Sequence, residues 1–462
     1  MKNKSLLNSS NQIYFASLGC ARNLVDSEVM IGQLIKAGYE LTPEQEKADF
    51  LIVNTCGFLE SARQEALEVI EEFFMSKKPK AKVIAVGCMV QKKEKLLREK
   101  FPKIHALLGS GDAEKIVEAV QSAVSKDQVS NQKSYLQLGE VPRFVSTPSN
   151  YAYLKIAEGC KKQCSFCIIP SIKGKLKSKP VAQVVKEFTS LLSQGVKEVI
   201  LIAQDLGDYG KDFSEKVSFS SLLKELLRVP GDYWIRLLYL YPDEVNDELI
   251  QVMSSDSRIC PYVDMPIQHI NDEILQKMHR KTNKKQIYQI INKLRAKIPK
   301  IAIRTSLMVG FPGETEEQFE ELLSFVKEVK LSHIGVFTYS KEEEAYSAKL
   351  EGHLPFSIKE KRQKKLLETQ LKIAKKQNEK LIGSKEVVVV DGTHPDSPYL
   401  LQARSQKQCP EIDGCFILND FAQIPETGNR FEVEITGYSD YDLIAKVLRP
   451  IYAKKREKLT IL

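Results

Sequence analysis

The chain has 462 residues, of which 43% are hydrophobic and 28% are charged, and its formal net charge is +8. This composition is ordinary for a globular protein, and the length suggests about three domains. No stretch approaches the roughly 18 uninterrupted apolar residues of a membrane span, and the first ten residues lack the apolar core of a secretory signal. Nine cysteines are too few for a disulfide framework. We therefore expect a cytoplasmic protein in which grouped cysteines indicate metal.

Residues 12–125 alternate predicted strands with helical patterns, which indicates a doubly wound parallel α/β domain. The predicted strands cover 13–20, 50–56 and 82–88, and each ends in a cysteine: Cys20, Cys56 and Cys88. Because ligands bind outside the carboxyl ends of the strands in such sheets, the three cysteines should converge. A single buried cysteine is common in a core. Three in the same topological position predict a metal site.

A polar segment without periodic pattern, residues 126–150, is predicted to be a linker. A second α/β region follows over 151–383. Its predicted strands are 151–157, 198–203, 234–241, 262–266, 301–309 and 334–339, with helical patterns between them. Six such units predict a partial TIM-type (β/α)6 barrel, whose active site lies at the carboxyl ends of its strands.

The last part of the chain changes character after a long charged helix predicted over 357–381, which ends at Gly383. Short predicted strands at 385–390, 400–404, 415–418, 431–436 and 443–448 are separated by turn residues. This pattern predicts a small all-β barrel over 384–450, followed by a basic tail over 451–462.

The most informative motif is the C-x3-C-x2-C run of Cys160, Cys164 and Cys167. A four-iron cluster and a tetrahedral zinc ion both need four ligands. Three cysteines leave one iron free, and an open iron can hold and reductively cleave S-adenosylmethionine. Zinc is the alternative, but no histidine or fourth cysteine lies nearby to complete its site. The motif follows the first barrel strand, so we expect it at the mouth of the barrel.

This loop on a six-unit barrel resembles the radical S-adenosylmethionine superfamily. With the three-cysteine N-terminal domain and the C-terminal barrel, about residues 12–450 resemble the methylthiotransferases, whose three domains are the methylthiotransferase, radical and TRAM domains. One branch of that family, the MiaB-like branch, modifies an adenosine of tRNA. The other modifies an aspartate of small-subunit ribosomal protein S-twelve.

The chain is more similar to the ribosomal-protein branch. The matching stretches are Ser17-Leu-Gly-Cys-Ala-Arg-Asn-Leu-Val-Asp-Ser-Glu28, Val53-Asn-Thr-Cys-Gly-Phe58, Ile169-Pro-Ser-Ile-Lys-Gly-Lys-Leu176, Ala203-Gln-Asp205, Trp234-Ile-Arg-Leu-Leu-Tyr-Leu-Tyr-Pro242 and Pro410-Glu-Ile-Asp-Gly414. The chain departs from the family at Ala21-Arg22, where Pro-Lys is commoner, and at Glu344-Ala-Tyr346, where a Gly-Thr pair is usual. We expect neither departure to touch a cluster ligand.

The charge of the C-terminal segment favours the same branch. Residues 384–449 contain six Lys or Arg and eleven Asp or Glu, a net charge of −5. A domain that grips tRNA phosphates should be basic. Ribosomal proteins are typically basic, so an acidic domain complements such a partner. The alternative is that these acids only form a solvated face.

The resemblance implies two 4Fe-4S clusters. Cys160, Cys164 and Cys167 would hold the first and be the catalytic ligands that bind S-adenosylmethionine and generate a 5′-deoxyadenosyl radical. Cys20, Cys56 and Cys88 would hold the second, whose open iron carries the sulfur to be inserted. A second molecule of S-adenosylmethionine would supply the methyl group.

Further contacts to S-adenosylmethionine are predicted from residues that lie at the barrel mouth or line its strands. They are Phe166, Gln204, Arg236, Arg304 and Ser306, with Asp205 beside them. For Phe166, core packing is an equal alternative. The turn over 309–314 is as well explained as a plain turn. A structural role is preferred for His269.

The expected partners are ribosomal protein S-twelve or the small ribosomal subunit, and an electron donor such as flavodoxin or ferredoxin. We expect a monomer that binds no membrane. Two other functions stay open: a tRNA adenosine methylthiotransferase with the same chemistry, and a non-catalytic iron–sulfur or zinc protein that binds ribosomes or RNA.

Overall fold

The computed structural model describes residues 11–124, 127–129 and 134–451. The N-terminal domain contains the strands β1 (Gln12–Ser17), β2 (Glu40–Leu41), β3 (Phe50–Thr55), β4 (Lys82–Gly87) and β5 (Ala106–Gly109). These strands form one parallel sheet in the order β2-β1-β3-β4-β5. Strands β2 and β5 were not predicted, because two and four residues are too short to show a period.

Helices cover both faces of this sheet. They are α1 (Ala21–Lys36), α2 (Glu60–Ser76), α3 (Cys88–Lys100) and α4 (Ile116–Gln121). Apolar side chains of α1 and α4 pack on one face, while those of α2 and α3 pack on the other. The predicted doubly wound α/β domain is therefore confirmed.

The central domain is a partial barrel. Its six main strands are β6 (Tyr151–Lys155), β9 (Glu198–Ile202), β10 (Trp234–Leu237), β11 (Tyr262–Asp264), β12 (Ala302–Val309) and β13 (His333–Thr338). They form two parallel three-stranded sheets, β10-β9-β6 and β11-β12-β13. A bridge between Ile235 and Ile259 connects the two sheets. The predicted (β/α)6 architecture is confirmed, and β6 and β13 are its edges.

The remaining elements of this domain surround the barrel. They are β7 (Ala157–Glu158), α5 (Ile169–Lys173), β8 (Lys177–Ser178), α6 (Val181–Ser193), α7 (Phe219–Arg228), α8 (Asp247–Ser255), α9 (Asp272–Lys277), α10 (Lys284–Lys297), α11 (Glu316–Val329) and α12 (Phe356–Glu379). Helix α12 lies along the edge strand β13, and three of its glutamines donate hydrogen bonds to carbonyls of 330–336. These are Gln363, Gln370 and Gln377. An unpaired strand edge invites aggregation, and Gln363 binds one carbonyl of this edge, that of Val336, while the other two glutamines bind carbonyls just before the strand.

Helix α1 of the N-terminal domain packs against the interior face of the central barrel. Its residues Ala21, Leu24 and Val25 join an apolar cluster with Tyr151 and Tyr153 of edge strand β6. The first turn of α1 therefore lies where a complete barrel would have further strands. Cys20 immediately precedes this turn.

The C-terminal domain is the predicted all-β barrel. Its strands are β14 (Lys385–His394), β15 (Ser397–Arg404), β16 (Phe416–Asp420), β17 (Arg430–Ser439) and β18 (Asp442–Ile451), closed in the order β14-β15-β16-β18-β17. The loop between β15 and β16 contacts the amino ends of the central strands. There Tyr151 donates to Glu411 at 2.7 Å, and Tyr262 donates to Asp413 at 2.7 Å. The small barrel thus closes the end of the central barrel opposite the cysteine loop.

The predicted linker 126–150 is described over 127–129 and from 134 onward, and this second part is packed. Tyr135 and Leu136 are buried, and Arg143 forms ion pairs with Glu28 of α1 and Glu187 of α6. The first ten residues and, apart from Ile451, the predicted basic tail lie outside the described residues. In the part of the chain that the structure describes, no helix is both long and apolar enough to span a membrane.

Candidate active site

The N-terminal triad, Cys20, Cys56 and Cys88, lies at one edge of the parallel sheet. Cys20 ends the loop after β1, Cys56 directly follows β3, and Cys88 begins α3 directly after β4. The loops pack closely, because a β-carbon built on Gly19 would lie only 2.8 Å from the β-carbon of Cys56. Gly19 also has a φ of +91°, which favours glycine. Parallel topology therefore brings together three residues that are far apart in sequence.

Asn23 of α1 connects all three cysteine loops. Its side-chain amide donates to the carbonyl of Leu18 at 3.1 Å and to that of Thr55 at 3.0 Å. The side-chain oxygen Oδ1 of Asn23 accepts a hydrogen bond of 3.5 Å from the thiol of Cys88. Asn23 lies in the stretch 17–28 that resembles the family, but no role was predicted for it. Its position three residues after Cys20, on the first turn of a helix, was the available signal.

Arg22 is the cation of this triad, and the prediction that it touches no ligand was wrong. Burial alone would raise the pKa of Cys20, but the adjacent Arg22 guanidinium lowers it below its ordinary value. Burial raises the pKa of Cys56 and raises that of Cys88 to about 12. A cation close to a cysteine stabilises the thiolate, which is the form that binds metal.

The central triad, Cys160, Cys164 and Cys167, lies on the loop between β7 and α5, at the carboxyl end of β6. Burial raises the pKa of Cys160 to about 11 and that of Cys167 to about 12. Backbone amides partly offset this burial, since Lys162 N–H donates to the Cys160 sulfur and Ile169 N–H to the Cys167 sulfur, both at 3.4 Å. Each of these backbone N–H groups favours the thiolate form of the sulfur that it contacts, against the larger effect of burial.

Cys164 has a separate cationic neighbour, Arg280, which the sequence analysis missed. The Nη1 atom of Arg280 donates to the Cys164 sulfur at 3.5 Å, and its guanidinium lies 4.2 Å from the ring centroid of Tyr241. The Tyr241 hydroxyl is 3.8 Å from the same sulfur. The arginine follows α9, more than a hundred residues after the cysteine, so no sequence spacing predicts the contact.

Lys162, inside the cysteine loop, anchors it to the barrel. Its ammonium lies 2.7 Å from Asp243 and 2.6 Å from Glu244, and is 3.3 Å from Asp205. Burial raises the pKa of Asp205 to about 7, although Lys162 opposes this shift. With Asp208 at 3.7 Å, four carboxylates surround this buried lysine and tie the loop to the segments that follow β9 and β10.

The structure brings the two triads to a common interface. Cys88 of the N-terminal triad lies in one buried apolar cluster with Ile168 and Ile172, which follow Cys167 of the central triad. A cavity of about 190 Å³ opens beside the triads, and its lining includes Gly57 and Ile168, which directly follow Cys56 and Cys167. Eight charged residues complete the lining: Glu60, Arg63, Lys92, Lys93, Lys341, Glu342, Glu343 and Glu344.

Three of the predicted cofactor contacts lie where that role is possible. Gln204 is buried, and its Oε1 has no hydrogen-bond partner among the described residues. Phe166 packs against an apolar cluster that includes Met308 of β12. Ser306 precedes Met308 by two residues, so both side chains point to the same face of that strand. Buried polar atoms are rarely left unpaired, so Gln204 offers an acceptor for a bound group.

Two predicted cofactor contacts, Arg236 and Arg304, are corrected by the structure. Arg236 is fully buried, with its Nε 2.5 Å from Glu198 and its Nη1 2.8 Å from the carbonyl of Gln406. Arg304 binds Asp264 at 3.0 Å and lies 3.4 Å from Asp413 of the C-terminal barrel. Both side chains are directed away from the cysteine loop. There the carboxylates of Glu198 and Asp264 on the barrel strands, and of Asp413 on the C-terminal loop, neutralise them.

The turn over 309–314 and His269 have structural roles. Glu314 accepts hydrogen bonds from the backbone amides of Gly310 and Phe311, and so fixes the turn. His269 is fully buried and accepts from the backbone amide of Asn271 at 3.0 Å.

Neither triad brings its three sulfur atoms within reach of a single zinc ion. Two thiolates on one zinc ion, each at about 2.3 Å, lie at most about 4.6 Å apart. Among the described residues, only Asp205, Asp208 and Glu244 bring three ligand atoms within 4.8 Å of one another, and Lys162 lies against them. A four-iron cluster does not require so close a spacing, because each cysteine binds a different iron.

Family models match each domain. Residues 12–109 match the uncharacterized protein family UPF0004, residues 154–326 the radical SAM superfamily and residues 382–448 the TRAM domain. Among solved structures, the radical S-adenosylmethionine methyltransferase TsrM of Kitasatospora setae superposes with a TM-score of 0.53 at 16% identity. The match covers 71% of this chain and 75% of that one. At this identity it supports the fold alone.

Curated relatives match along nearly the whole chain. A protein of Protochlamydia amoebophila named ribosomal protein uS12 methylthiotransferase RimO is 53% identical over 97% of this chain and 96% of its own length. A protein of the same name in Chlamydia abortus is 53% identical over 96% of this chain and 96% of its own length. Another in Geotalea uraniireducens is 41% identical over 95% of this chain and 98% of its own length.

Proposed function

This chain belongs to the ribosomal protein uS12 methylthiotransferases of the radical S-adenosylmethionine superfamily, and we propose that it attaches a methylthio group to the β-carbon of an aspartate of uS12. As a member of that family it depends on S-adenosylmethionine and a four-iron cluster. The observation that carries the proposal is the meeting of the two cysteine triads at one domain interface, where Cys88 lies in one buried apolar cluster with Ile168, the residue that follows Cys167.

We assign one four-iron cluster to each triad. When bound, the clusters and S-adenosylmethionine supply chemistry that removes a hydrogen atom from an unactivated carbon and delivers sulfur and a methyl group. Ordinary acid–base groups cannot do this, because such a C–H bond has no useful acidity. The chain's own residues provide the frame. Asn23 fixes the N-terminal loops, and Lys162 fixes the central loop.

The residues proposed to hold S-adenosylmethionine are Gln204, Phe166 and Ser306. The unpaired Oε1 of Gln204 is available to accept a hydrogen bond from the cofactor's amino group. Phe166 and Ser306 offer an apolar wall and a hydroxyl near the same end of the barrel. Arg236 and Arg304 are left out of this set, because carboxylates and carbonyls of the protein already bind them.

The target side chain is proposed to enter through the cavity between Gly57 and Ile168. Its lining of four acidic and four basic residues suits a polar protein loop better than an apolar ligand. Two of these charges already pair across the domain interface, Arg63 with Glu342 at 2.8 Å. The acidic C-terminal barrel, with a net charge of −5 over 384–449, complements a basic ribosomal protein.

We propose a cytoplasmic monomer that is reduced by flavodoxin or ferredoxin and acts on uS12 or on the small ribosomal subunit. The tRNA alternative is less favoured, since the relatives described above carry the uS12 name and the C-terminal barrel is acidic rather than basic.

Iron analysis tests the two-cluster assignment. Anaerobically reconstituted protein should contain about eight irons per chain, the content of two [4Fe–4S] clusters, and no zinc. Cys164→Ala and Cys56→Ala should each retain about four. Only Cys164→Ala should abolish release of 5′-deoxyadenosine from S-adenosylmethionine. Stoichiometric zinc, or 5′-deoxyadenosine release by Cys164→Ala, would contradict the assignment.

Mass spectrometry tests the substrate. We compare uS12 and tRNA from cells with and without the protein, and from cells that carry Cys56→Ala. The methylthio mass on a uS12 aspartate should disappear in both mutant strains, whereas tRNA stays unchanged. Loss of a methylthio mass from tRNA adenosine, with uS12 unchanged, would favour the tRNA alternative instead.

A further inference from the structure

Four buried charges join α1 to the two segments that flank the central cysteine loop. They are Asp26, Lys155, Glu158 and Lys173, each no more than 9% exposed. Asp26 accepts from Lys155 through one carboxylate oxygen and from Lys173 through the other, the second contact being 3.1 Å. Glu158 lies 2.8 Å from Lys173 and 3.5 Å from Lys155. Two acids and two bases thus alternate in one closed network.

The positions of these residues along the chain connect both triads. Asp26 is on the same helix that Cys20 begins, six residues later. Glu158 precedes Cys160 by two residues, and Lys173 follows Cys167 by six. Asp26 is the only member from the N-terminal domain, so the contact between domains in this network depends on one carboxylate.

Stability alone does not explain why the charges are buried here. Desolvation of an ion pair often outweighs the attraction gained, and apolar residues of similar volume are commonly as stabilising or more so. A charge network differs from an apolar contact because it is satisfied in one geometry only. An apolar face lets α1 slide or rotate by small amounts, whereas two ammonium groups on one carboxylate oppose such movement.

We propose that Asp26 is a positioning residue, which sets the distance and orientation between the N-terminal and central triads through Lys155 and Lys173. The proposal rests on the proposed function, because it assumes a cluster at each triad. It predicts that a weakened network leaves each cluster intact and S-adenosylmethionine cleavage active. Less of that cleavage should then lead to modification of uS12.

The decisive variant replaces one acid and one base, Asp26→Leu with Lys155→Met, and leaves Glu158 paired with Lys173. The control is Asp256→Leu with Arg258→Met. These two residues form an ion pair of 2.7 Å on the loop before β11, at the end of the central barrel opposite the cysteine loop. Asp26→Asn tests the loss of charge without loss of volume.

Two measurements follow for each protein. The first is the amount of 5′-deoxyadenosine released per molecule of modified uS12. The second is the magnetic dipolar interaction between the two reduced clusters in electron paramagnetic resonance, which falls with the cube of their separation. In the Asp26 variants we expect 5′-deoxyadenosine release to stay within about twofold of wild type. Modification of uS12 should fall at least about tenfold, equivalent to roughly 1.4 kcal/mol in the barrier to modification. The dipolar splitting between the clusters should also change. The control should match wild type in both.

An unchanged product ratio and splitting in the Asp26 and Lys155 double variant would overturn the proposal. An equal loss of 5′-deoxyadenosine and of modified uS12 would also overturn it, because the network would then merely support the central loop. A wild-type protein with about four irons would instead contradict the two-cluster assignment, before the positioning of the clusters is tested.

Discussion

The guanidinium of Arg22 lies over the ring of Tyr239, with 4.4 Å between its central carbon and the ring centroid. The same arginine donates to the carbonyl of Ala203, at the end of β9, at 3.0 Å. Cys20, on the other side of Arg22, has its pKa lowered by the guanidinium after burial alone would have raised it. One side chain therefore connects Cys20, a proposed cluster ligand of the N-terminal domain, to the mouth of the central barrel.

Replacement of Arg22 by methionine should impair the enzyme more than replacement by lysine. Methionine removes a charge-assisted hydrogen bond and a cation–π contact, together worth about 2 kcal/mol or more, so uS12 modification should fall at least about tenfold. Lysine retains the charge, and activity should stay within about threefold of wild type. Product is counted by mass spectrometry of uS12, with iron content measured alongside. Equal activity of the two variants would argue against a role for the positive charge.

Replacement of Arg280 should change the reduction potential of the central cluster. The positive Nη1 donor, 3.5 Å from the Cys164 sulfur, favours the more negative, reduced state. Arg280→Met should therefore lower the potential by roughly 60 mV, equal to a tenfold change in a one-electron equilibrium. A redox titration followed by electron paramagnetic resonance measures this shift. Arg258→Met is the control, because Arg258 also stacks on a tyrosine, Tyr233, at 5.0 Å.

Loss of Glu198 should weaken the attachment of the C-terminal barrel. Its carboxylate binds Arg236 at 2.5 Å and also Arg404, and all three residues are buried. Glu198→Ala leaves the buried Arg236 without a carboxylate partner and leaves Arg404 with Asp391 alone, so we expect a cost of about 3–5 kcal/mol in thermal or denaturant unfolding. Glu248→Ala, which breaks only an exposed pair with Lys224, should stay within about 0.5 kcal/mol. A small loss of unfolding free energy for Glu198→Ala would indicate that residues between the C-terminal and central barrels rearrange to bind the two arginines.

The Glu198 network also predicts a pH dependence. Burial alone would raise the pKa of Glu198, but Arg236 and Arg404 lower it below its ordinary value. A lowered folded pKa stabilises the protein above the unfolded pKa of about 4.3, and this stability is lost as pH falls toward the folded value. Unfolding of cluster-free protein should therefore show a smaller difference between wild type and Glu198→Gln at about pH 4 than at about pH 7. If the stability difference between wild type and Glu198→Gln instead grew on acidification, the lowered pKa of Glu198 would be contradicted.

The glutamines of α12 give a matched pair of stability variants. Gln370 is fully buried and donates to the carbonyls of Leu331 and Ser332, at 3.1 and 3.3 Å, whereas Gln377 makes one exposed contact. Gln370→Leu leaves buried carbonyls unpaired and should cost about 1–3 kcal/mol. Gln377→Leu should cost less than about 0.5 kcal/mol. Equal unfolding midpoints for the two variants would show that the buried contacts of Gln370 with the segment before β13 do not add to stability.

The sequence by itself determined the fold class, the three domains in order and the two cysteine triads. Strand–helix alternation and the three-cysteine run are local patterns, and parallel topology brings the carboxyl ends of the strands to one edge whatever lies between them. Cys20, Cys56 and Cys88 converge for that reason, although they are far apart in the chain. Short elements such as β2, with two residues, carry no such pattern and were missed.

Only the tertiary structure decided which charged side chains serve the site. Arg236 and Arg304 lie on barrel strands, as cofactor contacts would, but acids from the distant C-terminal loop and from the barrel floor bind them. Conversely, Arg280 reaches Cys164 from a segment 116 residues away. The direction of a long side chain depends on which opposite charge is buried beside it. That neighbour is set by packing between domains, which no local pattern in the sequence records.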